Sequence, residues 1–236
     1  MPNIRRQQGF TLVEMAIVLV IIGLLLGGIL KGQELITSAR VRNIADQNSG
    51  VQAAYYGFID RYRQVPGDWS KNSAEKSIPG VTSGGDSSGR LDGSNAWQEG
   101  LALWEQLSKS GFIQGNYIGG SAAPTQDDVN LAPRNAFNGF MMLFSSSDYY
   151  DTTSTPSEKL NLVFGAGIPV NVIAELDRKI DDGLPQSGVL RHALTSNAGK
   201  FGKVSQSTAD CVDTAPNPPI WDIAKNQQNC NGVYLY

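Results

Sequence analysis

Two hydrophobic patterns share the first sixty residues. From Phe10 to Leu30 apolar side chains run almost without a break, and the only ionisable group among them is Glu14. Arg5 and Arg6 stand before the run and Lys31 ends it. About 21 residues at 1.5 Å rise make a helix of roughly 31 Å, enough to cross the hydrocarbon core of a bilayer. Beyond Lys31 the apolar positions thin out to Leu35, Val41, Ile44, Val51, Tyr55, Phe58 and Tyr62. From Ile44 the steps are seven, four, three and four residues, which is one stripe of an α-helix. Arg40, Arg42, Asp46, Gln47, Asp60 and Arg61 lie off that stripe. No proline falls between Pro2 and Pro66. The pattern therefore predicts one helix from Phe10 to Arg63, roughly 80 Å long, whose first half is transmembrane and whose second half is an amphipathic spine. Gly23, Gly27, Gly28 and Gly32 are either points of close packing and local melting or ordinary small residues of a membrane helix.

Gln64-Val65-Pro66-Gly67-Asp68 ends the spine, because proline cannot continue a helix and Pro-Gly favours a turn. The Gly-, Ser-, Asp- and Asn-rich stretch to Asn95 reads as one long loop. A second helix is expected over Ala96–Ser108, with Asn95 and Gln98 suited to a capping box and Gly111 to a stop. Trp97, Leu101, Trp104 and Leu107 form its stripe, a spacing that favours core packing over a sugar-stacking platform. Ala136–Ser145 and Leu160–Phe164 read as strands. A third helix covers Val170–Asp181, with Val172, Ile173, Leu176 and Ile180 inward and Gly183 as its stop. Val189–Leu194 reads as a further strand, and the tail from Lys203 is polar and proline-rich. The fold class is α+β: a long N-terminal α-helix packed on one C-terminal globular domain with a small antiparallel sheet.

A carboxylate inside a membrane span costs about 2.5–3.5 kcal/mol even on lenient insertion scales. Glu14 therefore needs a reason. Arg5, Arg6, Gly9, Phe10, Thr11, Leu12 and Glu14, followed by an unbroken apolar helix, resemble the N-terminal signature of type IV prepilins and of type II secretion pseudopilins. The resemblance covers about the first 60 residues. It implies a leader of residues 1–9, cleavage by a prepilin peptidase between Gly9 and Phe10, and N-methylation of Phe10. It also implies a transmembrane and spine helix over 10–63, a periplasmic globular domain over 64–236, and a mature helix packed in a filament core. The physics runs parallel to it. Cleavage would free an α-amino group with an ordinary pKa of about 7.7–8.0, four residues from Glu14 on the same helical face. In low dielectric the two charges attract, within one chain or between neighbouring subunits, and each relieves the other's burial. The bland alternative is that Glu14 merely snorkels to the headgroups.

Composition trims the field. The chain has 236 residues, 41% hydrophobic and 17% charged, and the segment beyond the spine is long enough for one domain with its own core. A net charge of −3 argues against a dedicated nucleic-acid binder. The positive-inside rule sets Arg5 and Arg6 in the cytoplasm and everything after Lys31 outside, which is a single membrane pass. The resemblance implies that this membrane is the inner one and that the subunit then enters a pilus or pseudopilus. The two cysteines, Cys211 and Cys230, read as one disulfide in an exported domain, against the alternative of two buried thiols. With a single histidine, His192, a zinc site is improbable and no metal is assigned. Weak calcium candidates remain. Gly84–Asp92 loosely resembles a calcium loop through Asp86 and Asp92, but plain turn chemistry explains it better. Asp181 and Asp182 oppose the helix dipole, so they hold a cation, pair with Arg178 or Lys179, or sit in a solvated turn.

The resemblance, which the composition does not oppose, implies a structural subunit, a minor pilin or pseudopilin, without cofactor or catalytic site. Its expected partners are the prepilin peptidase, other pilin or pseudopilin subunits, inner-membrane lipid and the assembly platform. The alternative is a membrane-anchored tip or adhesin-like subunit that binds DNA, a surface or a secreted substrate. A tethered periplasmic enzyme is the weakest class, since G-x-S-x-G, H-E-x-x-H and a Gly-Lys-Ser/Thr phosphate loop are all absent.

Overall fold

The computed structural model describes residues 11–92, 96–125, 127–153, 156–194 and 208–236. The chain divides into two compact units, the first ending at Ala39 and the second spanning Arg40–Tyr236. Helix α1, Leu12–Tyr62, contributes to both. In the first unit its side chains are almost uniformly exposed, from Leu12 through Lys31 without exception. The helix is long and apolar enough to cross a membrane. Leu35, on the apolar pattern of the sequence, is exposed here as well.

In the second unit the expected stripe is the core. Val41, Ile44, Val51, Ala54, Tyr55 and Phe58 of α1 are buried. Phe58 sits among three rings, with centroids 4.7 Å from Tyr62, 6.0 Å from Phe112 and 6.2 Å from Trp69. The stripe also holds a buried Asn48, whose Oδ1 accepts from Tyr236 Oη at 3.2 Å. Gln47 and Arg40 are not simply solvated: Gln47 Nε2 donates to Arg134 O at 3.0 Å, and the Arg40 guanidinium lies 4.8 Å from the Phe137 ring centre.

The turn after α1 is built around Gly67, whose φ of +89° is the left-handed conformation that glycine adopts without strain. The loop beyond it is not structureless. It contains a seven-residue helix α2, Lys71–Ser77, which carries no apolar stripe and buries only Ala74. Helix α3, Ala96–Lys109, organises the whole segment from beneath. Glu105 accepts from Thr82 N (2.8 Å), Thr82 Oγ1 (2.7 Å) and Ser83 N (2.9 Å). Gln106 accepts from Gly67 N at 2.9 Å and donates to Trp69 O at 3.0 Å. These buried polar groups replace the backbone partners that a sheet would supply. Gln98 donates to Gly84 O at 2.9 Å, while Asn95, its suggested capping partner, lies outside the described residues. Helix α3 stops as expected at Gly111 (φ +84°), with Phe112 N bonded to Leu107 O at 3.0 Å, the six-to-one bond of a Schellman cap.

Four strands form an antiparallel sheet in the order β1-β2-β6-β3: β1 Met142–Ser146, β2 Lys159–Val163, β3 Leu190–His192 and β6 Gly232–Leu235. Helix α4, Val170–Ile180, connects β2 towards β3. The first strand is shorter than the apolar run suggested. Asn135 turns the chain instead: its Oδ1 accepts from Phe137 N (2.7 Å) and Gly139 N (3.0 Å), and its Nδ2 donates to Phe164 O (2.8 Å). The polar tail carries unexpected order. After α5, Thr208–Cys211, a two-stranded ribbon pairs β4, Val212–Asp213, with β5, Ile220–Trp221. The last strand, β6, then lies between β2 and β3, with Asn161 opposite Leu235 and Leu190 opposite Tyr234. Cys211 and Cys230 are disulfide-bonded and fully buried, closing the ribbon loop just before β6.

Candidate functional site

The N-terminus of α1 is locally self-contained. Thr11 is the residue before the helix, and Glu14 is its third helical residue. Glu14 Oε2 accepts from Thr11 N and from Thr11 Oγ1, both at 2.8 Å, and Glu14 N donates back to Thr11 Oγ1 at 3.2 Å. This is a reciprocal capping box, which satisfies orphan donors of the first turn. Thr11 is a working residue of this site that the charge pattern does not single out. Its signal in the sequence is the T-x-x-E spacing, Thr11 to Glu14. Arg5, Arg6, Gly9 and Phe10 lie outside the described residues. Behind the cap, the apolar side chains of Leu12 to Leu30 have no partner surface among the described residues. An exposed apolar surface of this extent belongs in lipid or against other apolar helices.

The acidic candidates separate into two groups. Asp86 lies with Asp68 and Glu99, not with Asp92. Asp92 instead pairs with Arg90 at 3.2 Å. Asp68 gathers the loop: its carboxylate accepts from Ser88 N (2.9 Å), Ser88 Oγ (3.3 Å) and Gly89 N (2.8 Å). Asp86 accepts from Ser88 N at 3.0 Å, and its hydrogen bonds to Ser88 hold its carboxyl below the usual range. These are the bonds of an Asp-Ser turn.

Asp181 and Asp182 lie with Asp177. Asp181 accepts from the backbone N–H groups of Val189 and Leu190, which pins the start of β3 to the end of α4. Asp182 accepts from Leu184 N at 2.9 Å and from Ser187 Oγ at 2.6 Å. Gly183 is not the immediate cap of α4; that place belongs to Asp181. Gly183 N donates to Asp177 Oδ1 at 3.1 Å.

Asp177 is the residue of this group that the sequence did not announce. It is fully buried and accepts a 2.7 Å bond from Trp221 Nε1 of the disulfide-closed ribbon. Burial pushes its carboxyl up to about 7, against the opposing pull of the Trp221 and Gly183 bonds. The Trp221 indole is in turn edge-on to the buried His192 ring, with centroids 5.8 Å apart.

With that geometry in place, the comparisons concern the N-terminus. Residues 4–30 match the family model of the prokaryotic N-terminal methylation motif, the prepilin-type signature. No curated protein and no solved structure matches the chain. The motif supports a type IV pilin-like or pseudopilin-like subunit, and indicates a structural protein of that type. It implies processing by a prepilin peptidase and assembly with other pilin subunits, and with the apolar helix it is consistent with membrane anchoring.

Proposed function

We propose that this chain is a minor pilin or pseudopilin, a structural subunit that a prepilin peptidase cuts between Gly9 and Phe10 and methylates at Phe10. The subunit then waits in the inner membrane as a single-pass protein with its N-terminus cytoplasmic and its globular domain periplasmic. It polymerises through α1 into a type IV pilus or a type II secretion pseudopilus. In this reading residues 1–9 are the leader, 10–63 the membrane and spine helix, and 64–236 the periplasmic domain.

The observation that carries the proposal is a methylation motif opening an α-helix whose exposed, membrane-length apolar surface bears one carboxylate. Such a surface cannot remain in water, and such a carboxylate cannot remain alone in lipid. The capping box supplies the carboxylate's first partner, Thr11. Cleavage supplies the second, a cationic amine on Phe10, either in the same chain or on a neighbouring subunit. An amine that meets the Glu14 of a neighbour would set the axial register between subunits. The proposed chemistry is therefore charge pairing inside an apolar helical bundle.

N-terminal sequencing and intact mass of the membrane-extracted protein test the processing step. The expected chain begins at methylated Phe10. Recovery of Arg5 and Arg6 from cells with an active prepilin peptidase would contradict it.

A further inference from the structure

Among the described residues, the second unit leaves five large aliphatic side chains exposed: Ile118, Val129, Val189, Ile220 and Ile223. They fall in two places. The four-stranded sheet runs from β1 at one edge to β3 at the other, with α3 packed on β1 and α4 on β3. Ile118 and Val129 belong to the segment after α3, whose two arms are joined where Ile118 N donates to Asn130 O at 2.8 Å. That segment lies on α3: a Cβ at Gly119 would meet Glu105, and one at Gly120 would meet Leu101. Tyr117, next to Ile118, helps to line a pocket of about 290 Å³ with Val51, Phe112, Ile113 and Pro133, and no charged side chain lines it.

The other three stand at the β3 edge. Val189 directly precedes β3, and its carbonyl accepts from Leu235 N at 2.8 Å. Ile220 and Ile223 flank Trp221, which is held to α4 by its 2.7 Å bond to Asp177 and lies edge-on to His192 of β3. Asp222 N donates to Cys211 O at 2.9 Å, and the disulfide to Cys230 closes the same loop. The two isoleucines therefore project from a fixed support, so covering them orders little that was free.

Apolar patches of this kind mark interaction surfaces, and two at opposite edges of one sheet do not cover each other within a chain. An isologous pair would cover one patch and leave the other in water. A heterologous contact covers both, and it repeats from copy to copy as a filament requires. The partners match in chemistry, since uncharged aliphatic side chains meet an uncharged apolar and aromatic wall.

We propose that the C-terminal ribbon of one copy docks, through Ile220 and Ile223, against the pocket and the Ile118–Val129 ridge beside α3 of a second copy. The proposal rests on the chain being a filament subunit, and adds to it a head-to-tail contact between globular domains. Val189 would lie at the margin of the same contact.

The test uses the full chain in cells that make two forms, one tagged and carrying the photo-crosslinker p-benzoylphenylalanine in place of Ile220, the other untagged. Membranes and sheared filaments are irradiated, and adducts are mapped by mass spectrometry. Position 220 should link to residues 112–133 of the untagged copy, and the same probe in place of Ile118 should link to residues 212–223. Ile118→Asp and Val129→Asp, each made in the untagged copy at an exposed position, should cut the yield of the first adduct at least about tenfold, because each sets a carboxylate against an aliphatic surface. Absence of a copy-to-copy adduct from both fractions would overturn the proposal. So would adducts joining 220 to 220, adducts with lipid or another protein alone, or yields that neither Asp variant changes. Immunoblotting of the sheared filaments reads the filament assignment separately: the expected adduct in membranes, with no chain in filaments, would uphold the contact and count against that assignment.

Discussion

Helix α1 carries large apolar residues of two opposite kinds, and paired substitutions separate them. Phe58 is fully buried and packs against Tyr62, Trp69 and Phe112. Leu24 is 73% exposed. Phe58→Ala removes a buried ring and leaves a cavity, at a cost of about 3–5 kcal/mol. The three ring contacts place it towards the upper end of that range, because aromatic pairs add about 0.5–1.5 kcal/mol beyond area burial. For a folded unit of this size each kcal/mol lowers Tm by about 2–4 °C, so a fall of about 6–20 °C is expected. Leu24→Ala also deletes apolar surface, but at an exposed position of the first unit, and Tm should not move. Near-UV circular dichroism of the full chain in micelles, monitored on heating, reads both. An unchanged Tm for Phe58→Ala would refute the assignment of the spine to the domain core. A large fall for Leu24→Ala would refute the claim that the first unit's apolar surface is reserved for lipid and other helices.

The C-terminal ribbon leads to two more expected outcomes. Replacing Cys211 and Cys230 by serine should lower stability by about 3 kcal/mol, read by urea denaturation, with reductant then having no further effect on the variant. Asp177 should make stability fall as pH rises. Its carboxyl titrates near 7 in the folded protein, far above an unfolded aspartate, so the folded state holds the extra proton between about pH 4 and 7 and its advantage is lost across that window. Asp177→Asn, which keeps an acceptor for Trp221, should flatten the dependence of Tm on pH over the same window. Identical profiles for variant and wild type would show that Asp177 does not set this dependence.

The long-range pattern of the sequence was its most readable part. The spacing of Ile44, Val51, Tyr55 and Phe58 is enforced by a single helix period, and all four are buried. Gly111 was legible as a helix stop because a positive φ leaves few alternatives to glycine. The pair Cys211–Cys230 was legible because only two cysteines exist. What escaped depends on tertiary partners. Helix α2 has no stripe and is held within a segment that Glu105, Gln106 and Asp68 organise, and no local pattern announces those bonds. Strand β6 is only four residues long and comes after a polar tail, yet it pairs with strands on both sides. Asn135 shortens an apolar run that propensity alone would extend, because one side chain answers four backbone groups. At the candidate assembly site the carboxylate is visible from its place in an apolar run, whereas its bonding to Thr11 emerges only with the helix start in place. That bond gives Glu14 a role as a cap, separable from the role as a charge proposed for it.

Glu14→Gln distinguishes them, since glutamine still closes a capping box but cannot pair with an amine as an anion. Loss of a buried charge partner costs about 3–5 kcal/mol, whereas the cap and the fold of the second unit are retained. The decisive measurement is the ratio of this variant to wild type in sheared filaments, normalised to the membrane pool of processed protein. If Glu14 pairs with the freed amine, the membrane pool stays equal and the filament fraction drops by at least about tenfold. Wild-type incorporation of Glu14→Gln would show that the charge is dispensable and that Glu14 serves only to cap its helix.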